Sequence, residues 1–160
     1  MTRLHQQIET GLPLDAAFAF VADFANAMRW DPGVATSESV DGSPTGLGAR
    51  FRLGVRMRGR VMPMEYRITT FEAPRRVVLT GTGSGVSAVD DIRFETAGTV
   101  TRIDYTADLR LEGFLRLAQP FLGGAFAKIG RDALDGMQRA LDARAAERDA
   151  AHASAASSRR

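Results

Sequence analysis

The 160-residue chain contains no cysteine, one lysine (Lys128), one tryptophan (Trp30), two tyrosines (Tyr66 and Tyr105) and two histidines (His5 and His152). Without cysteine, a disulfide framework, a thiolate metal site and a cysteine nucleophile are all excluded. His5 and His152 stand apart from each other and from any obvious partner, which leaves neither a histidine acid–base pair nor a metal site. No glycine-rich loop leads from a strand into a helix to cradle a phosphate, so no cofactor is expected. No run approaches the roughly 18 apolar residues that a membrane-spanning helix needs, and stable membrane insertion is not expected. The stretch MTRLHQQIETG lacks the apolar core of a secretory leader, which makes a cytoplasmic location the expectation. A net charge of +2 is too small to imply nucleic acid. The near-absence of lysine reads, with the alanine richness, as codon bias rather than as the mark of a partner.

What is present is an ordinary globular composition, 44% hydrophobic and 25% charged, in a chain long enough for one domain with a real core. Between Arg50 and Glu112, alternation and turn residues predict an antiparallel meander. Its strands are Arg50–Arg58, Val61–Phe71, Arg76–Thr80, Val86–Thr96 and Thr99–Leu111, separated by glycine- and proline-bearing turns. Spacings this short fit hairpins rather than crossovers. Upstream, Leu4–Gly11 reads as a first strand, Leu14–Asp23 and Asn26–Trp30 as two short helices, and Val34–Asp41 as a strand polar enough for an edge or a wet surface. The residue before Pro32 avoids the helical region, which stops the second helix. From Phe114 to about Glu147 the period becomes helical, with a stripe through Phe114, Ala118, Phe121, Leu122, Ala125, Ile129, Ala133, Met137 and Leu141. Gly123-Gly124 predicts a kink or a close approach, since glycine inside a helix costs about 1 kcal/mol against alanine. The expected fold class is α+β, with about seven strands, two short helices after the first strand and one long C-terminal helix. Residues 1–145 form the expected domain and 146–160 a disordered Ala/Ser/Arg tail.

Period-two alternation sorts the strand residues into two faces. Phe51, Leu53, Val55 and Met57 oppose Arg50, Arg52, Arg56 and Arg58; Met62, Met64, Tyr66 and Ile68 oppose Glu65, Arg67 and Thr69; Ile92 and Phe94 oppose Asp91, Arg93 and Glu95; Tyr105 and Leu109 share an apolar face with Ile103, Ala107 and Leu111. The sheet is therefore wet on one side, and only the long helix can cover the other. Between them lies either a filled core or a pocket of the usual ligand-site size, about 300–1,000 Å³. The methionines at 57, 62 and 64 would suit an irregular lining or simply fill the core. Parity with Ile92 and Phe94 places Asp90 inward unless a bulge resets it. A carboxylate there would have a raised pKa and could serve as acid, base or ligand anchor. The hydroxyls of Tyr66 and Tyr105 would bond a ligand, the backbone or Asp90. Trp30 either packs its helix on the sheet or lines the pocket. The arginine row at 50, 52, 56 and 58 would be paired with acids such as Glu65, Asp91 and Glu95. It carries no interleaved aromatics, so stacking on bases has no support.

The element order, with Leu14-Asp15-Ala16-Ala17-Phe18-Ala19-Phe20-Val21-Ala22-Asp23, Trp30-Asp31-Pro32-Gly33-Val34 and Tyr66-Arg67-Ile68-Thr69-Thr70-Phe71-Glu72-Ala73-Pro74-Arg75-Arg76-Val77, resembles the START-like, Bet v 1-like helix-grip superfamily over about residues 3–145. It looks closest to the bacterial polyketide cyclase/dehydrase and lipid-transport group (SRPBCC). The resemblance implies a deep apolar cavity between sheet and long helix, entered near the helix start, and a ligand such as a lipid, polyketide or quinone. On that basis Trp30, Phe51, Met57, Met62, Met64, Tyr66, Asp90, Ile92, Phe94, Tyr105, Leu109, Phe114, Phe121 and Leu122 are the candidate ligand-binding residues. Binding of a hydrophobic or amphipathic small molecule is the leading expectation, with Asp90, Tyr66 and Tyr105 orienting it. The rival is a polyketide cyclase or dehydratase using Asp90 as acid/base. Against it, the sequence offers few inward titratable groups and no second one of complementary pKa. A protein- or membrane-interaction module working through the arginine face is a more distant alternative.

Overall fold

In the computed structural model, which describes residues 1–159, seven antiparallel strands form a single sheet in the order β1-β7-β6-β5-β4-β3-β2. The strands are β1 (Thr2–Thr10), β2 (Val34–Ser39), β3 (Arg50–Met57), β4 (Arg60–Glu72), β5 (Arg76–Gly83), β6 (Val86–Ala97) and β7 (Val100–Leu111). Helices α1 (Leu14–Ala22) and α2 (Ala27–Trp30) follow β1, and α3 (Gln119–Ser157) closes the chain after a 3₁₀ turn at Gly113–Ala118. β1 and β2 are the two edges, in keeping with the polar reading of β2.

The register follows from turn chemistry. Met57 pairs with Arg60, which leaves the two-residue loop Arg58-Gly59, both at positive φ (50° and 75°). That is the backbone a tight hairpin needs to match strand twist. Gly83 pairs with Val86 across the two-residue loop Ser84-Gly85, where Gly85 alone takes a positive φ, 75°. Alternation holds along β1 and β4, where buried or half-buried positions alternate with exposed ones. β5 continues to Gly83, past the expected end at Thr80, because Gly81, Thr82 and Gly83 pair with β4 and β6 on both sides.

The apolar face of the sheet is covered twice. α1 lays Phe18 against Phe71 and Phe94, with ring centroids 5.4 and 5.1 Å apart at edge-on angles. α3 buries Ala133, Leu134, Met137 and Leu141, which join Phe51, Ile68, Leu79, Ile92 and Ile103 in the most deeply buried part of the core. Gly136 lets α3 cross α2: a Cβ there would collide with the backbone carbonyl oxygen of Trp30.

Two expectations about the last helix are corrected. The stretch Phe114–Ala118 is 3₁₀ rather than α, and α3 runs through Gly123-Gly124 as one helix. The buried stripe of its first turns passes through Leu122 and Phe126 instead of Phe121. Phe121 and Leu122 are neighbours about 100° apart on the helix, and only one of them can face the sheet. Residues 146–157, in the alanine-rich tail, continue α3 as an exposed helix, in line with alanine having the highest helix propensity. Arg160, the end of that tail, lies outside the described residues.

Candidate functional site

Between the sheet, α2 and the middle of α3 lies a pocket of about 160 Å³. That is smaller than the 300–1,000 Å³ or so expected of a small-molecule site. Its walls are largely apolar: Leu4, Val34, Leu53, Val55, Met57, Met64, Ala107 and Leu109 from the strands, Phe24 and Ala27 from the α1–α2 region, and Phe126, Ile129, Ala133 and Leu134 from α3. Arg3, Arg56 and Ile129 at its rim are exposed, so the pocket opens between the start of β1, the end of β3 and the first half of α3.

One part of the wall is polar. Asp90 points inward from β6, as parity requires, and is 6% exposed. The Tyr105 hydroxyl, from the neighbouring β7, donates to Asp90 Oδ1 at 2.9 Å. Asp31 caps the end of α2, its N–H donating to the Ala27 carbonyl at 2.8 Å. Its Oδ1 accepts from the Gly33 N–H at 2.7 Å, which locks the Asp31-Pro32-Gly33 turn and sets the carboxyl at the pocket wall. Tyr66 and Trp30 complete the polar part. The Trp30 indole nitrogen is buried with no hydrogen-bond partner, an uncommon and costly state for a buried donor. Gln6, directly across from Tyr105 in the β1–β7 ladder, likewise has a buried side-chain oxygen without a partner.

Burial dominates the electrostatics. It pushes Asp90 up to about 7; the Tyr105 hydrogen bond opposes the rise, and the Asp31 and Asp108 charges add to it. Burial likewise pushes Asp31 up to about 6, against the Gly33 N–H and with the Asp132 charge. Tyr66 and Tyr105 are driven well above the ordinary tyrosine value, first by burial and then by the charge of Asp90. Both therefore remain hydroxyl donors at any physiological pH.

Of the fourteen residues expected from sequence, Trp30, Met57, Met64, Tyr66, Asp90, Tyr105 and Leu109 line the pocket. Phe51 is packed beneath it against Phe24. Ile92 and Phe94 belong to the core, the latter under α1. Half-buried Met62 lies outside the lining. Leu122 packs against the core, whereas Phe114 and Phe121 point to solvent, 81% and 87% exposed. Sequence reasoning missed Asp31 entirely, treating it only as the stop before Pro32; the Asp-Pro-Gly turn that fixes its side chain was the available signal. Phe24 and the α3 contributors Phe126, Ile129 and Leu134 were also missed.

The outer sheet face is laced with ion pairs, though not with all the partners expected. Arg52 pairs with Glu38 at 3.0 Å, and Arg50 with Asp41 at 3.0 Å and Glu65 at 3.6 Å. Asp91 is taken by Arg76 and Arg93, and Glu95 by Arg102. Among the described residues no group of His, Asp or Glu is placed to hold a metal ion, and no helix is long and apolar enough to cross a membrane.

Comparison with known proteins is consistent with this architecture. A family profile described as polyketide cyclase / dehydrase and lipid transport matches residues 1–142. No curated protein matches the chain. Among solved structures, the Zhui aromatase/cyclase of Streptomyces sp. R1128 superposes with a TM-score of 0.72 at 16% identity, covering 91% of this chain and 94% of its own. A START superfamily protein of Mycobacterium smegmatis gives 0.69 at 13% identity, covering 91% and 97%. A protein of Thermus thermophilus gives 0.72 at 14% identity, covering 87% and 96%. At these identities the likeness is one of fold.

Proposed function

The chain belongs to the polyketide cyclase/dehydrase and lipid transport family, and from that premise we propose that it binds a hydrophobic or amphipathic small molecule in the pocket between sheet and α3. The apolar part of the ligand would lie against Leu4, Val55, Leu109 and Phe126, and a carbonyl or hydroxyl would sit at Asp90, Tyr66 and Trp30. The single observation that carries this reading is the indole N–H of Trp30, a lining residue of a largely apolar pocket, buried without a partner, a donor that a ligand oxygen would satisfy.

The size of the pocket bounds the affinity. Burying about 150 Å² of apolar ligand surface at about 25 cal/mol per Å² gives roughly 4 kcal/mol, the equivalent of a Kd of about 1 mM. Tighter binding needs the polar contacts, or a first half of α3 that shifts to enlarge the pocket.

The test is native mass spectrometry of protein purified from its own host, followed by organic extraction. A discrete co-purifying mass of a few hundred daltons supports binding. An empty protein whose melting temperature ignores lipids, quinones and aromatic polyketides counts against it.

A second reading rests on Asp31. The objection to an enzyme was the lack of a second inward titratable group, and Asp31 and Asp90 now stand on the same wall with values raised to about 6 and about 7. A carboxylate near neutrality is suited to general acid–base work. Asp90 would take a proton from carbon beside a ligand carbonyl, the Tyr66 hydroxyl would stabilise the enolate oxygen, and protonated Asp90 would return the proton to a departing hydroxyl, released as water, or to the alkoxide left by ring closure. The readings separate at Asp90→Asn: a binder loses modest affinity, whereas an acid–base enzyme loses about 10²-fold or more in turnover.

A further inference from the structure

The segment Gly113–Arg131, which forms the 3₁₀ turn and the first three turns of α3, carries apolar side chains on two sides. Leu115, Ala118, Leu122 and Phe126 face the core. Phe114, Leu117 and Phe121 face solvent, at 81%, 81% and 87% exposed. Their spacing of three and then four residues keeps them on one face. A helix apolar all round is normally covered on every side, and three large apolar side chains clustered in the open mark a contact surface. The cluster is not an accident of a stretch that is hydrophobic throughout, because Arg116 lies within it and Lys128 and Arg131 follow on α3.

The charge around the cluster is predominantly positive, with Glu112 and Asp132 just beyond the two ends of the segment. Gly113–Arg131 contains those three basic residues and no Asp or Glu. The groove beside it, between the starts of β1 and α3, is lined by Arg3, Arg110 and Arg116 with Glu112 as the one acid. Arg3 is bonded to Asp108 and Lys128 to Asp132, whereas no ion pair involves Arg110, Arg116 or Arg131 among the described residues. Thr2 and Arg3 line both this groove and the pocket rim, so the basic groove and the pocket mouth adjoin.

We propose that this face docks peripherally on an anionic lipid surface, with Phe114, Leu117 and Phe121 entering the interface and the arginines meeting headgroup phosphates. Interspersed basic and large apolar residues on a helix lying in the plane of a bilayer are the chemistry of interfacial binding.

Flotation of the full chain with vesicles tests this, using phosphatidylcholine alone and phosphatidylcholine with phosphatidylglycerol. The expectation is co-flotation with the anionic vesicles, reduced at least tenfold by 0.5 M salt, by Arg110→Glu with Arg116→Glu, and by Phe114→Ser, Leu117→Ser and Phe121→Ser combined. The substituted side chains are exposed, so each variant should keep the melting temperature of the parent. Absence of binding to anionic vesicles overturns the proposal. So does binding that survives the triple change, which would place the contact elsewhere, such as the outer sheet face. A dimer in solution that the triple change converts to monomer also overturns it, since the occupant would then be a second copy of the chain.

Discussion

At the scale of single residues, the site depends on one hydrogen bond and one turn. Tyr105 donates to Asp90 at 2.9 Å, and that bond favours the charged carboxylate against the burial that raises it. Removing the hydroxyl in Tyr105→Phe leaves burial unopposed, so the Asp90 titration midpoint should move further above about 7. Carboxyl carbon NMR across pH 5–9 reads this directly, and a midpoint that falls or stays put would refute the assignment of the bond. Asp31 responds to a different partner: its Gly33 N–H is a backbone donor, which no side-chain substitution deletes. Gly33→Ala would instead bring a Cβ to 3.0 Å from Asp31 Oδ1, tighter than ordinary contact, and should disturb the turn and with it the Asp31 titration. Asp90 was legible from sequence because strand parity is local and rigid. Asp31 was not, because a turn residue's direction is set by hydrogen bonds that periodicity does not record.

At the scale of elements, the strands were the legible part. Period-two alternation and turn glycines at 59, 85 and 98 fixed ends and faces to within a few residues, since a one-residue slip would turn every apolar side chain to water. The long helix was less legible in its first turns, where apolar residues are too many for one stripe, and its α2 crossing is non-local: no pattern within α3 says that Gly136 meets the Trp30 carbonyl. That crossing predicts opposite signs for two similar substitutions. Gly124→Ala puts a methyl into open space and should gain up to about 1 kcal/mol of helix propensity. Gly136→Ala gains the same propensity but drives a Cβ into backbone, where overpacking costs about 1–3 kcal/mol or more, so the net effect should be destabilising. Urea denaturation of the two variants is the measurement. If Gly136→Ala proves as stable as the parent, α3 does not cross α2 at this distance. Gly81 makes a third case, because a Cβ there would meet the Tyr66 ring at 2.5 Å across the β4–β5 pair. Gly81→Ala should therefore move a pocket wall and lower ligand affinity more than global stability.

At the scale of the whole molecule, the buried acids set how stability depends on pH, and the sign runs against habit. Asp90 and Asp31 have native values of about 7 and about 6 against 3.8 for the free group, so between roughly pH 4 and pH 7 the native state holds protons that the unfolded chain has released. Stability must then fall as pH rises through that window and level off above the native values. For Asp90 alone the total is at most about 4 kcal/mol, at 1.36 kcal/mol per pH unit. The Asp31 charge adds to the rise at Asp90, and the Asp132 charge to the rise at Asp31, so the two acids shift in the same direction. The surface carboxylates act in the opposite sense at lower pH. Asp108 is held below the usual range by Arg3, and in Asp91 the Arg76 and Arg93 guanidinia outweigh a partial burial that would raise it; both contributions fade as pH drops through those lowered values. The melting temperature should therefore peak near pH 4–5 and decline toward pH 8. Asp90→Asn keeps an acceptor for Tyr105 and carries no charge, so it should match the parent near pH 4.5, exceed it at pH 8 and flatten the decline between them. At about 2–4 °C per kcal/mol for a chain of this size, the gap at pH 8 is large enough for a thermal-shift series to resolve. A parent protein whose melting temperature climbs from pH 5 to pH 8, or an Asp90→Asn curve parallel to it, would mean that Asp90 is solvated in the native state and that the pocket is wetter than its apolar lining implies.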